Sequence, residues 1–255
     1  MIRVAAVGDL HVGTDSRGLL SPHLHELGDV ADVLLVAGDL TRIGAPEEAD
    51  VFVEELRTAA IPTVVVLGNH DHHSGCADDV VARCRSGGLI VLDGSSVVID
   101  GPTGSVGIAG IKGFGGGFPG SSLHAFGEQA MKDFVAVTET DAERLGNALS
   151  ELASPRADHV VVLLHYAPIR HTLDGEPREI YPFLGSGRLA EVIDEAGADL
   201  VVHGHAHHGV ECGVTPGGIP VRNVAQPVIG ACYRLYQLGG HTTRDSDLRH
   251  RVGDR

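Results

Sequence analysis

The sequence contains no tryptophan, and aromatic residues make up only 4% of its 255 positions. Hydrophobic residues nevertheless account for 43% of the chain, so the core must consist mainly of valine, leucine, isoleucine and alanine. A core of aliphatic side chains suits an α/β protein. Composition alone therefore predicts an α/β fold that is long enough to enclose a sizeable core.

The chain also lacks a dense run of lysine and arginine, and its formal net charge is −15 with a pI near 5.4. This balance disfavours the broad basic surface by which proteins bind nucleic acid. A compact polyanionic substrate is compatible with it, provided that bound metal supplies positive charge locally. We therefore expect a small anionic substrate rather than a nucleic acid.

Cysteine motifs and long apolar runs are missing as well. The four cysteines (Cys76, Cys84, Cys212 and Cys232) show no C-x-x-C spacing and indicate no disulfide framework. No apolar run approaches the roughly 18 residues that a membrane span needs, and the strand pattern that begins at Ile2 leaves no room for a signal peptide. We expect a cytoplasmic protein with reduced thiols and no membrane partner, and the sequence leaves its oligomeric state open.

What the sequence does contain is five apolar runs that each end in residues of the kind that bind metal ions. The runs cover residues 2–7, 33–37, 64–67, 160–164 and 200–202. The polar residues that follow them are Asp9 and His11, then Asp39, then Asn69, His70 and Asp71, then His165, and finally His205 and His207. Buried strands deliver such residues to their carboxyl ends, so we expect the five groups to meet.

The spacing of these groups also predicts the domain organisation. Because they extend from Asp9 to His207, residues 1–238 are expected to form a single domain, followed by a disordered polar tail over residues 239–255. Helical patterns cover residues 22–30, 76–85, 126–153 and 189–196, and a further helix starts at Pro46. Alternation of strands and helices in the first half predicts parallel strands joined by crossover helices.

Short β runs are predicted where the helical pattern stops. They cover residues 89–92, 97–100 and 106–111, and three antiparallel strands are expected over 210–214, 219–224 and 233–238. The glycine-dense stretch 112–120 predicts a mobile or close-approach loop. Either a substrate lid or an irregular surface connection is compatible with it.

In order along residues 9–207, the chain carries Asp-x-His, Gly-Asp, Gly-Asn-His-Asp, a strand-end histidine and Gly-His-x-His. Each block is common alone, but the five together resemble the calcineurin-like metallophosphoesterases, with no block altered. The resemblance implies a four-layer αββα sandwich, in which two mixed sheets pack face to face between outer helices. It also implies a dinuclear metal site at the strand ends.

The ligand set follows from the same resemblance, which implies two ions bridged by Asp39. One ion is expected on Asp9, His11, Asp39 and His207, and the other on Asp39, Asn69, His165 and His205. Nitrogen and oxygen ligands without thiolate suit manganese, iron or zinc and do not choose among them.

The resemblance also assigns catalytic roles. His70 is expected to protonate the leaving oxygen or to stabilise the transition state, and Asp71 to orient its ring and raise its pKa. The implied mechanism is in-line attack by a metal-bridging hydroxide, with charge held by both metals and Asn69.

Less specific roles are open for the neighbouring residues. Asp9, Asp39 and Asn69 could instead cap helices or turns, and His165 could be a core histidine. Supporting or solvated roles are expected for the histidines outside the ligand set, which are His72, His73, His203 and His208. Five cations are candidates for a contact with phosphate, and a solvated surface position is the alternative for each: Arg42, Lys112, Arg170, Arg178 and Arg222. Among them we favour Arg42, which follows Asp39 closely.

The expected function is hydrolysis of a phosphoester by two metals. The motif order in a small chain looks like the class III cyclic nucleotide phosphodiesterases, which favours a phosphodiester substrate such as a cyclic nucleotide. A phosphomonoesterase and a pyrophosphate or nucleotide hydrolase are the alternatives on the same ligands. A nuclease and a non-catalytic scaffold rank lower, because the chain is acidic and no ligand position is lost.

Overall fold

The computed structural model describes residues 1–153 and 157–239. Its strands are β1 Ile2–Val7, β2 Val33–Ala37, β3 Thr63–Val66, β4 Ile90–Val91, β5 Ser95–Gly101, β6 Gly104–Ile111, β7 His159–Leu164, β8 Leu200–His203, β9 Cys212–Val214, β10 Pro220–Asn223 and β11 Arg234–Leu238. Its α-helices are α1 Ser21–Leu24, α2 Leu27–Val30, α3 Pro46–Leu56, α4 Ala77–Ser86, α5 Gln129–Leu152, α6 Tyr181–Leu184, α7 Gly187–Ala196 and α8 Gln226–Ile229. Apart from Gly239, the predicted polar tail lies outside the described residues.

Two mixed sheets form the centre of the fold. The first has the order β11-β1-β2-β3-β4, in which β1 to β4 are parallel and β11 pairs antiparallel with β1. The second has the order β5-β6-β7-β8-β10-β9, in which β6, β7, β8 and β10 are parallel and the two edge strands are antiparallel. Strands β1 to β3 consist mainly of alanine and valine or leucine, which suits strands covered on both faces.

Four layers result from how the two sheets bury their faces. One core joins side chains of β1, β2 and β3 to Ile108, Val161 and Val202 of the second sheet, and it continues outward to Phe52 of α3 and Val80 of α4. A second core packs the other face of β6, β7 and β8 against α5 and α7. The αββα sandwich of two mixed sheets is therefore confirmed.

Several predicted elements differ from the observed ones. The helix predicted over 22–30 is two short helices, α1 and α2, separated at His25 and Glu26. The three predicted carboxyl-terminal strands exist, but only β9 and β10 pair with each other; β11 crosses to the first sheet and pairs with β1. Pairing partners so distant in sequence follow from tertiary packing, which local alternation does not encode.

The glycine-rich loop 112–120 lies close to another backbone segment. Gly116 and Gly117 donate backbone hydrogen bonds to the carbonyls of Pro182 and Gly185, and Gly187 returns one to Gly117. A Cβ atom on Gly115 would lie 2.4 Å from the Pro182 oxygen. The close-approach interpretation of this loop is therefore the one that its contacts favour.

Candidate metal centre

The five polar groups singled out in the sequence lie together where carboxyl ends of strands from both sheets meet. Strands β1, β2 and β3 lead into Asp9, Asp39 and Asn69, while β7 and β8 lead into His165 and the segment 204–207. Ligand sites of α/β proteins commonly form at this edge, since loops there leave parallel strands in the same direction. The topology thus brings side chains about 200 positions apart to one site.

Two clusters of potential metal ligands form there and share one carboxylate. The first contains Asp9, His11, Asp39 and His207, and the second contains Asp39, His165 and His205, with the ligand atoms of each cluster within 4.8 Å of one another. Asp39 is the shared residue. These are the seven expected ligands except Asn69, whose Oδ1 lies 2.9 Å from His165 Nε2 and so borders the second cluster.

Backbone strain is concentrated in these residues. Among the described residues, non-glycine residues with positive φ are Asp9, His11, Asp39 and His205, at 58°, 45°, 49° and 70°, and also Ala60. This left-handed conformation costs such residues about 1 kcal/mol or more. Four of the five are candidate ligands, so the fold accepts strain in order to direct their side chains into one site.

Glycines make room for the two carboxylates. A Cβ on Gly68 would lie 2.1 Å from Asp39 Oδ1, and one on Gly204 would lie 2.3 Å from Asp9 Oδ2. A Cβ on Gly38 would lie 2.4 Å from the ring of His165. Gly38, Gly68 and Gly204 are therefore needed for close approach of the ligands to one another.

Backbone contacts fix which ring nitrogen of two histidines faces the site. His165 Nδ1 lies 2.9 Å from the carbonyl oxygen of Ala37, and His205 Nε2 lies 3.3 Å from that of Phe183. A carbonyl only accepts hydrogen bonds, so each of these nitrogens carries the proton. His165 Nε2 and His205 Nδ1 are left as unprotonated donors of a lone pair, as a metal ligand requires.

Burial keeps three of the histidines neutral. It lowers the pKa of His11, brings that of His205 to about 3, and puts that of His165 well below its usual value. His207 differs, because its contact with Asp9 raises its pKa; the Nε2–Oδ1 distance is 2.9 Å. Neutral imidazole is the form that coordinates metal.

The donor set fits a bound cation. His11 Nε2 is buried without a hydrogen-bond partner among the described residues, and buried polar atoms rarely stay unpaired. In the second cluster the unprotonated His165 Nε2 faces two oxygens, Asn69 Oδ1 at 2.9 Å and Asp39 Oδ1 at 3.4 Å. Lone pairs that converge without a proton between them are satisfied by a positive ion.

The alternative capping roles do not match the hydrogen bonds. Asn69 stands at the start of the 3₁₀ turn His70–His72, yet its side chain makes no capping hydrogen bond. Asp9 accepts from the backbone N–H of His205, and Asp39 accepts from that of His70. These carboxylates therefore connect the strand ends with one another.

His70 lies at the exposed side of the first cluster. Its ring centroid is 4.5 Å from that of His11, and its Nε2 is 4.0 Å from Asp39 Oδ2. Its Nδ1 donates to the carbonyl oxygen of Arg42, at 2.8 Å. The ring is thus held by a backbone carbonyl with Nε2 directed towards the site.

The expectation that Asp71 orients the His70 ring is wrong. The Asp71 carboxylate is fully buried and accepts hydrogen bonds from the backbone of Leu40, Thr41 and Gly68 and from the Thr41 hydroxyl. Burial raises its pKa to about 6. The 3₁₀ turn sends the two neighbouring side chains in different directions, so Asp71 braces the loops after β2 and β3, and the ring is oriented by Arg42.

The remaining candidates lie outside both clusters. The Arg42 side chain, favoured for phosphate contact, pairs with Asp15 at 2.8 Å on the surface. His203 is buried and bonds to the Gly204 carbonyl and to the Thr172 hydroxyl, at 2.8 and 2.9 Å. The side chains of the other three histidines are exposed: His72, His73 and His208.

The carbonyl groups that orient the rings of His70, His165 and His205 could not be predicted from the sequence, since any residue type can supply a carbonyl. Tyr166, whose ring centroid lies 4.4 Å from that of His205, was not predicted either. The adjacency of Tyr166 to His165 was the available signal.

In the described residues, no helix has both the length and the apolar character that a membrane crossing requires.

A fold of two face-to-face mixed sheets with a cluster of histidine and aspartate at the strand ends defines the metallophosphoesterase class. The family model for calcineurin-like phosphoesterases matches residues 2–209. The chain therefore belongs to the calcineurin-like phosphoesterase family and is a metal-dependent phosphoester hydrolase. Members of this family typically use two metal ions.

Solved structures share the fold at low sequence identity. One crystal structure aligns with 93% of this chain over 99% of its own chain, with a TM-score of 0.61 and 17% identity. TT1561 of Thermus thermophilus matches 87% of this chain and 88% of its own, with a TM-score of 0.55 and 18% identity. A candidate 5′-nucleotidase from Staphylococcus aureus, in complex with alpha-ketoglutarate, matches 87% of this chain and 48% of its own, with a TM-score of 0.56 and 18% identity. No curated protein matches the chain at a significant level.

Proposed function

We propose that this protein hydrolyses a phosphodiester, with a cyclic nucleotide as the first candidate, at a pair of ions held by the two clusters. The observation that carries the proposal is that two sets of ligand atoms share Asp39. Two ions at the short separation typical of such centres need a shared anionic ligand. Manganese, iron and zinc all suit these nitrogen and oxygen donors.

In this proposal each ligand has a defined task. Asp9, His11 and His207 complete the first site around Asp39, while Asn69, His165 and His205 complete the second. When bound, such ions neutralise phosphate oxygens and lower the pKa of water. The hydrogen bonds that the two rings donate to the carbonyls of Ala37 and Phe183 hold His165 and His205 in place, so that little reorganisation accompanies binding.

His70 is proposed as the proton donor to the leaving oxygen. Its Nδ1 donates a hydrogen bond to the Arg42 carbonyl, so Nε2 is the nitrogen that can exchange a proton with substrate. The ring is partly exposed, with 46% of its side-chain surface accessible, and borders the first cluster. Substrate can therefore reach it from solvent while the phosphoryl group contacts the centre.

The preference for a diester rests on the motif order, which looks like that of the class III cyclic nucleotide phosphodiesterases. Monoesters, nucleotides and pyrophosphates can be hydrolysed by the same ligand set and are the alternatives. We also propose a cytoplasmic location, from the cysteine spacing, and a small phosphoester rather than nucleic acid as substrate, from the net charge of −15.

A substrate panel tests the proposal. The manganese-reconstituted protein is assayed with bis-p-nitrophenyl phosphate, p-nitrophenyl phosphate, cyclic nucleotides and dinucleotide polyphosphates. We expect the highest kcat/KM on a diester. Exclusive turnover of the monoester would overturn the diester assignment, and failure of every substrate with a fully metal-loaded protein would overturn the function.

A further inference from the structure

Lys112 follows β6 and lies beside the candidate metal centre. Its carbonyl oxygen accepts hydrogen bonds from the backbone N–H groups of His165 and Tyr166, at 3.1 and 3.0 Å. His165 is a candidate ligand of the second cluster. The position of Lys112 is therefore fixed by one of the strand ends that build the centre.

Two aromatic rings hold the ammonium group of Lys112. The Nζ atom lies 4.9 Å from the ring centroid of Phe114 and 5.0 Å from that of Tyr166. The Tyr166 ring lies 4.4 Å from the ring of His205, measured between centroids. The Tyr166 ring therefore contacts both the ammonium and the ring of His205, a candidate ligand. Ring faces attract cations and restrict their position.

This cation has no anionic partner in the described part of the chain. Its Nζ donates one hydrogen bond, to the Gly113 carbonyl at 2.8 Å, although an ammonium has three donors. Asp141 and Asp93 are the carboxylates that act most strongly on its charge. Both are engaged by Arg144, at 3.7 and 2.8 Å. A partly buried lysine without a counter-ion is uncommon, because burial of charge is costly unless it is paired.

We propose that Lys112 binds a second anionic group of the substrate, next to the phosphoryl group that is hydrolysed. The unused donors of its ammonium, and its contact with the Tyr166 ring that packs against the candidate ligand His205, fit an anion that extends from the centre. Lys112 is then a specificity-determining residue that, among phosphodiesters, favours those with an additional phosphate or carboxylate over a simple cyclic nucleotide, which carries only one anionic group. This inference rests on the proposed function, because it assumes that the scissile group binds at the two clusters.

The experiment compares two ligands that differ by one phosphate, thymidine 5′-monophosphate and thymidine 3′,5′-bisphosphate. Their dissociation constants are measured by calorimetry on the manganese-loaded protein, so the readout does not depend on turnover. The p-nitrophenyl 5′-esters of the same two compounds measure kcat/KM in parallel. The variants are Lys112→Met and Lys112→Gln. The second keeps a polar side chain and is used if the first does not fold. Lys132→Met, at the exposed second lysine of the chain, is the matched control.

We expect the wild type and Lys132→Met to bind the bisphosphate at least about tenfold more tightly than the monophosphate, as a charge-assisted contact provides. The Lys112 variants should lose most of this preference, with the loss falling on the bisphosphate. Equal loss for both ligands, an unchanged preference, or no preference in the wild type would overturn the inference. If the preference disappears in the Lys112 variants while no ester is hydrolysed by the wild type, the contact of Lys112 with a second phosphate is supported and the proposed function fails.

Discussion

Replacement of Gly68 by alanine would push directly on the shared ligand of the centre. The added Cβ would lie 2.1 Å from Asp39 Oδ1 and 2.2 Å from its backbone nitrogen. Because Cβ contacts below 3.0 Å essentially do not occur, the segments that carry Gly68 and Asp39 must separate by about 0.9 Å. Overpacking of this kind costs about 1–3 kcal/mol. A displacement of about 1 Å at a catalytic group can cost about 10²-fold in rate.

We therefore expect Gly68→Ala to lower kcat/KM on the preferred substrate by about 10²-fold and to reduce metal content. The assays are steady-state kinetics and metal analysis after gel filtration in manganese. Gly146→Ala is the matched control, because its Cβ would meet only Val192, at 3.8 Å, and helix α5 should gain about 0.5–1 kcal/mol. Two metals and wild-type kcat/KM in Gly68→Ala would refute the assigned role of Asp39.

His70→Ala should retain both metals and lose about 10²–10⁴-fold in kcat; equal loss of metal there, by elemental analysis, would show that its role is misassigned. Hydrogen bonds with Arg3 lower the pKa of Asp32 in the fold, so Asp32 stabilises the protein above about pH 4 and that contribution is lost as the pH falls through the lowered pKa. Asp32→Asn should lower the free energy of unfolding, measured by urea denaturation, by about 1 kcal/mol at pH 7 and by less at pH 3. An equal loss at both pH values would contradict this. Chelation of metal should lower the Tm, and addition of Mn²⁺ should restore it, because a ligand that binds the folded state stabilises that state. A Tm that changes with neither treatment would count against a metal site in the folded protein.

The ligand positions could be predicted because each lies directly after an apolar strand. That local pattern, together with parallel strand order, is sufficient to bring Asp9 and Asp39 to the same edge of the first sheet. The resemblance that the motifs carry to the calcineurin-like metallophosphoesterases then implied the layered architecture. Ligation itself stays a proposal, supported by the unpaired His11 Nε2 and by the strained backbone at four ligands.

Other features depend on contacts that the sequence does not encode. The neighbour of His70 in the chain is Asp71, but its partner in space is the carbonyl of Arg42, because a 3₁₀ turn separates the two side chains. Strand β11 pairs with β1 across the whole chain, and no local signal specifies that. The unpaired ammonium of Lys112 is recognisable only once Arg144 is seen to occupy the nearby carboxylates.

The most direct test of the central claim is a crystal structure of the protein grown with Mn²⁺, with anomalous scattering recorded at the manganese absorption edge. Two peaks are expected on either side of Asp39, one next to Asp9, His11 and His207 and the other next to His165 and His205. A single peak, or two peaks that Asp39 does not join, would contradict it.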